Sequence, residues 1–224
     1  MFWESISSPE ALFSLRFSII LALATTAING VLGTVVAFRL ARHDFPLKGL
    51  LTALVDLPLV MPASATGFTV LLLYGPLGMQ GKVFEHDGIT MMFVFSSILM
   101  VHVFVTLPFV VRGVGAVLAE ADESELEAAK VLGANEVQVF TRIILPAVKG
   151  GLLSGCVFTF ARSLGEFGTT ILVASGLALK TETARLFIFS EFDRGNATTA
   201  SSVAVLLVII SLVMFFGFKL VNKM

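Results

Sequence analysis

Charged side chains are rare in this chain, and the few set in apolar stretches are the first candidates for chemistry, because hydrocarbon penalises any ionised group left unpaired. Arg162 and Glu166 lie in Phe160-Ala161-Arg162-Ser163-Leu164-Gly165-Glu166-Phe167-Gly168, four residues apart and so on one face of a helix. Such a pair either neutralises itself or lines a route for a charged solute. Asp56 precedes Leu57-Pro58-Leu59-Val60-Met61-Pro62. Two prolines four residues apart free backbone carbonyls, and a helix broken in this way survives in a membrane only where protein or a water-filled path receives it. Asp56, Pro58, Pro62, Arg162 and Glu166 are therefore the candidate translocation path or gate, with a kink used only for packing as the alternative.

Other chemistries lack their parts. His102 has no second ligand at helical spacing and reads as a packing residue rather than a metal site. The single cysteine, Cys156, lies in an apolar stretch and supports neither a disulfide framework nor a thiolate metal site. Gly81-Lys82 resembles the end of a phosphate-binding loop, but Pro76 stands where the first glycine belongs and Val83 replaces the Ser or Thr. There is no His-Glu-x-x-His, no placeable Ser-His-Asp set and no pair of facing carboxylates. The chain is not expected to hydrolyse ATP, to carry a cofactor or to catalyse a reaction.

The one long polar interruption runs from Ser124 to Pro146. Asp122 or Ser124 can cap a helix whose first turn holds Glu123, Glu125 and Glu127, where the helix dipole favours negative charge. Gly133, followed by Ala134 and Asn135, predicts its C-terminal cap, a second helix starts near Glu136, and Pro146 marks a kink or handover to the next span. Small Ala128 and Ala129 leave one face with little bulk, so another protein could approach the backbone.

The elements that position these residues follow from composition. With 224 residues, 56% hydrophobic and 14% charged content and a mean hydropathy of +0.94, the chain is an integral membrane protein. A formal net charge of -1 provides no footprint for nucleic acid. Leu12 to Leu40 is too long for a secretory signal core and has no cleavage site, so it is the first span. Ala22, Thr26, Gly30 and Thr34 give that span one smooth face. The spans fall at about 12–40, 47–74, 91–117, 147–173 and 199–218, with small faces at Gly151 and Gly155 in the fourth and the polar segment at about 122–146. Gly75 to Gly88 forms an external loop, and within Ala174 to Asn196 a short helix rests at the outer surface. Nine Lys and Arg residues fall on the inner side against five outside, which puts the N-terminus outside, the C-terminus in the cytoplasm and the polar segment inside. Five helices cannot close a path alone, so two copies of the chain, or one copy and a paralogue, are expected to meet across a two-fold axis.

Glu127-Ala128-Ala129, Gly133, Ile143 and Leu145-Pro146, at these spacings, resemble the EAA motif of ABC-importer permeases. The resemblance implies an all-α polytopic fold of the type I importer (MetI-like) class, with five transmembrane helices and a cytoplasmic coupling helix. Glu127, Ala128, Ala129, Leu132, Gly133 and Ala134 would be the residues that couple to a separate ATPase subunit. It also implies two copies of that ATPase, which carry the ATP and Mg, an external substrate-binding protein, surrounding lipid, and a place in the cell inner membrane. Leu57 to Pro62, Leu107-Pro108-Phe109-Val110-Val111-Arg112 and Phe160 to Gly168 are similar to permeases for molybdate, tungstate and sulfate. The Ser163 to Gly168 run and the short length lean toward the molybdate branch, whose permease is a homodimer. Leu73-Tyr74-Gly75-Pro76 and Lys180-Thr181-Glu182 are similar to the sulfate branch, whose permease pairs with a paralogue. An additional N-terminal span carried by some members is not expected here. The rival classes are an intramembrane enzyme and an assembly protein.

Overall fold

The computed structural model describes residues 5–75, 78, 93–120, 129, 131–174 and 176–221, and among these every regular element is helical. Most of the Gly75 to Gly88 loop lies outside the described residues, as do Glu127 and Ala128. The order is α1 (Pro9–Arg42), α2 (Lys48–Val60), α3 (Ala63–Tyr74), α4 (Phe95–Glu120), α5 (Glu136–Val139), a π-helical turn (Phe140–Ile144), α6 (Leu145–Ala147), α7 (Lys149–Leu164), α8 (Thr170–Val173), α9 (Ala184–Asp193) and α10 (Ala197–Val221).

Three stretches, Pro9–Arg42, Phe95–Glu120 and Ala197–Gly217, are long and apolar enough to cross a membrane. Two bent pairs bring the number to five if each counts as one span: α2 with α3, bent by 116°, and Val137–Ala147 with Lys149–Leu164, bent by 67°.

Helix α1 is the spine. It opens on Ser8, whose hydroxyl accepts from the Ala11 amide, and on Pro9, whose missing N–H costs nothing in the first turn. Over 34 residues it runs for about 50 Å by the helical rise and contributes to three clusters in turn. Leu15 packs with Phe160, Leu164, Phe187 and Val203; Leu21 with Ile98, Val101 and Leu186; Ala37 with Val55, Val110, Val114 and Val148.

Close helix packing rests on missing side chains. A Cβ on Gly33 would stand 2.7 Å from Val110 Cβ, and one on Gly155 would stand 2.7 Å from Val110 Cα. At Gly113 it would stand 2.7 Å from the Gly151 carbonyl oxygen. Without a hydrophobic drive between helices in lipid, such backbone proximity is what holds them by dispersion and packing. Outward faces stay apolar, as at Val31, Val60 and Val213, which suits contact with lipid or a second subunit.

The structure departs from the sequence expectation in three places. The second span is a sharp elbow rather than a kinked rod: Pro58 is tolerated inside α2, which continues to Val60, and the break falls only at Met61 and Pro62. Helix α7 stops at Leu164, short of the expected 173, because Gly165 caps it and α8 restarts at Thr170. Helix α9 packs one face into the protein rather than only lying on it: Ala184 and Phe187 bury themselves between α1 and α10, Leu186 packs with Leu21, Ile98 and Val101, and the Ala184 amide donates to Ser18 Oγ at 2.8 Å.

Candidate functional site

Two regions collect the functional residues. The first is the polar segment. Ala129 and Val131 are helical, and the Ala134 amide donates back to the Ala129 carbonyl at 3.0 Å while Gly133 takes φ +83°. This six-to-one bond around a left-handed glycine is a Schellman cap, the ending that the sequence placed there. The next helix opens on a reciprocal box that the sequence reading missed. Asn135 Oδ1 accepts from the Gln138 amide at 2.9 Å, and Gln138 Oε1 accepts from the Asn135 amide at 3.0 Å. Its signal was legible as Asn-x-x-Gln.

Stop and start together leave Val131 and Leu132 each 87% exposed, beside a groove of about 430 Å³ lined by Leu132, Gly133, Ala134, Gln138, Arg142 and Ile143. Both apolar side chains are left uncovered by the described residues. Of the six candidate coupling residues, Leu132, Gly133 and Ala134 line this groove, Ala129 makes the cap bond, and Glu127 and Ala128 lie outside the described residues. The π-helical turn and the 67° bend at Val148 join the groove to α7.

The second region is where the two interrupted spans meet. A Cβ on Gly168 would stand 2.8 Å from Ala63 Cβ, and one on Gly67 would stand 2.9 Å from Thr169 Cα, so the Gly165 to Thr169 break lies directly against the start of α3. Arg162 Nη1 forms an ion pair with Glu166 Oε2; the arginine side chain is 37% exposed and the glutamate only 1%. Glu166 has left the helix. Its Oε1 accepts from both the Thr169 amide (3.0 Å) and the Thr169 hydroxyl (2.8 Å), so it braces the break while it neutralises Arg162.

His102 clamps the same break from α4. Its Nδ1 lies 2.7 Å from Ser163 Oγ and its Nε2 2.9 Å from Thr170 Oγ1, one partner on each side of the interruption. That satisfies both ring nitrogens and bears out its reading as a packing residue. The polar run continues through Thr106, which donates to the His102 carbonyl at 2.7 Å, to Asn29, whose Nδ2 donates to Thr106 Oγ1 at 2.8 Å. Among the described residues no group of His, Cys, Asp or Glu could hold a metal ion.

The candidate path residues divide between places. Pro62, Arg162 and Glu166 gather at the break. Asp56 does not join them. It accepts from Arg112 Nε at 2.9 Å, bridging α2 to α4 at a separate cleft, and Pro58 sits within the last turn of α2.

A family model described as "Binding-protein-dependent transport system inner membrane component" matches residues 29–224. The chain is 39% identical over 206 residues to "Sulfate permease 2, chloroplastic" of Chlamydomonas reinhardtii, covering 92% of this chain and 56% of that protein. It is 35% identical to the "Sulfate transport system permease protein CysT" of Synechocystis sp., over 99% of this chain and 78% of that one. To the CysW permease protein of the same organism it is 36% identical, over 89% and 72%. Among solved structures, a bacterial ABC transporter that imports alginate superposes with a TM-score of 0.84 at 15% identity, covering 99% of this chain and 82% of that chain. The inward-facing MetNI methionine ABC transporter superposes at 0.68 and 20% identity, over 96% and 98%. These likenesses give the fold: all-α, of the MetI-like permease class. The residues matched and the helices that carry them agree, and the chain belongs to the family of binding-protein-dependent transport system inner membrane components.

Proposed function

We propose that this chain is one permease subunit of an ATP-driven importer that passes sulfate across the cytoplasmic membrane. The observation that supports the ion is the likeness to proteins described as sulfate permeases, which extends over nearly the whole chain. It turns the lean toward molybdate or tungstate, drawn from the Ser163 to Gly168 run, toward sulfate. The three ions share tetrahedral dianionic geometry, so that short run is compatible with each.

Two ATPase subunits carrying ATP and Mg, a second permease subunit and an external binding protein complete the assembly. Likeness to two differently named permease proteins of one organism favours a paralogue as the second permease. The exposed Val131 and Leu132 and the groove beside them are the seat for the ATPase. Closure of the ATPase pair displaces this segment, and the displacement passes through the π-helical turn and α6 into α7, whose far end carries the Arg162–Glu166 break. The two states exchange because nucleotide binds them with different affinity. Ion selectivity resides in the binding protein, since a tight site in the permease would slow release.

The test is uptake by proteoliposomes holding the full complex and its binding protein. ATP-dependent entry of radiolabelled sulfate, displaced by unlabelled sulfate and not by molybdate, is expected. Preferential entry of molybdate overturns the ion, and no nucleotide-dependent entry of any oxyanion overturns the importer.

A further inference from the structure

Among the described residues Arg185 has no counter-charge. It is exposed in the first turn of α9, and among the described residues it forms neither an ion pair nor a hydrogen bond. Its guanidinium Nη2 stands 3.5 Å from where a Cβ on Gly165 would be, so it lies against the glycine that ends α7 at the break. Arg162 is on the last turn of that helix, partly exposed, with one of its five N–H groups directed to Glu166.

Beside Arg185 opens a cleft of about 430 Å³, walled by Phe167, Phe189 and Phe192 and carrying the Ser201 hydroxyl from α10. Among the described residues no acidic side chain lines it. The planar fork of arginine fits two oxygens of a tetrahedral ion at once.

We propose that Arg185, with Ser201 across the cleft, forms a waypoint for a tetrahedral dianion passing the Gly165 to Thr169 break. The assignment rests on the oxyanion reading above and adds the residue that meets the ion. One unpaired arginine in an open cleft holds a dianion weakly, and a relay in a transporter needs weak holding so that the ion moves on.

The test uses the full complex in proteoliposomes with radiolabelled sulfate, and follows uptake together with ATP hydrolysis stimulated by the binding protein. Arg185→Gln is expected to lower uptake roughly ten- to a hundred-fold, the scale of losing one charge-assisted contact, with stimulated hydrolysis unchanged. Arg185→Lys retains part of the uptake, and Ser201→Arg added to Arg185→Gln returns a cation to the same cleft and recovers it. Unchanged uptake in Arg185→Gln, a parallel loss of ATP hydrolysis, or no recovery in either charge-restoring variant overturns the assignment. The parallel loss would show that Arg185 anchors the fold, the assembly or a lipid phosphate instead. A wild-type complex that moves no oxyanion defeats the importer reading itself, and that result is read before any variant is compared.

Discussion

Replacing Gly155 by alanine tests whether backbone proximity holds α4 and α7 together. The added Cβ would stand 2.7 Å from Val110 Cα and 2.9 Å from Phe109 O, where ordinary contact begins at 3.4 Å. Both atoms belong to the α4 backbone, so no side-chain rotation clears the overlap. The helices must separate locally by roughly 0.7 Å, which forfeits dispersion contacts along the crossing. Overpacking of this kind costs about 1–3 kcal/mol, and the helix preference of alanine over glycine returns up to about 1 kcal/mol. The net expectation is a loss of about 0–2 kcal/mol, and of about 1–3 kcal/mol relative to a control that gains the same helix preference without the overlap. Gly150 supplies the control. It lies five residues earlier on the same helix with nothing within 4 Å of its added Cβ, so Gly150→Ala should be neutral or slightly stabilising. Thermal unfolding of the purified complex in detergent reads the difference, at about 2–4 °C per kcal/mol for a chain of this length. A Gly155→Ala protein as stable as Gly150→Ala would refute the account of the crossing.

At Gly133 the space around the Cα is empty, yet φ is +83°, so Gly133→Ala is penalised by conformation alone, at about 1–2 kcal/mol, whereas Gly133→Asn is milder. Stimulated ATP hydrolysis by the complex should therefore fall further in the alanine variant than in the asparagine variant, and the reverse order would reject the left-handed cap. Glu182 makes a pH prediction outside the spans. Burial raises its carboxyl above the ordinary 4.5, and Glu191 and Glu10 add to the rise, while the Ser190 hydroxyl and Arg194 oppose it. The folded chain thus holds this proton more tightly than the unfolded chain, so the contribution is complete below that ordinary value and is lost as pH rises through and beyond 4.5. Relative to Glu182→Gln, the wild-type melting temperature should decline from mildly acidic pH toward neutrality; a deficit that grows toward acid would contradict the raised carboxyl.

Local chemistry made part of this molecule legible in advance. Gly133 announced a left-handed ending, Pro62 an interruption, and Gly151 and Gly155 a close crossing, because each depends on what a single residue's backbone can adopt or leave empty. For Arg162 and Glu166 the sequence left open whether they neutralise each other or a neighbouring helix or line a route, and the structure pairs them. Which side of the helix end Glu166 would occupy was hidden, because helical spacing and a turn closed through Thr169 both bring the two charges together. The burial of α9 was hidden for another reason. Its partner Leu15 lies far away in sequence, and an apolar face looks the same whether it meets lipid or protein. Asp56 was assigned to the break by proximity in sequence, but its partner Arg112 on α4 holds it elsewhere.

The elbow between α2 and α3 has its two arms seated on different supports. The first arm packs on α4, and the second packs on α8 beyond the Glu166 brace. If α8 shifts against α4, both arms keep their seats only when the angle between them changes. Pro62 has its φ locked by its ring, so most of that swivel falls to the extended backbone of Met61. Met61 would then be the pivot at which such a sliding movement turned into a rotation.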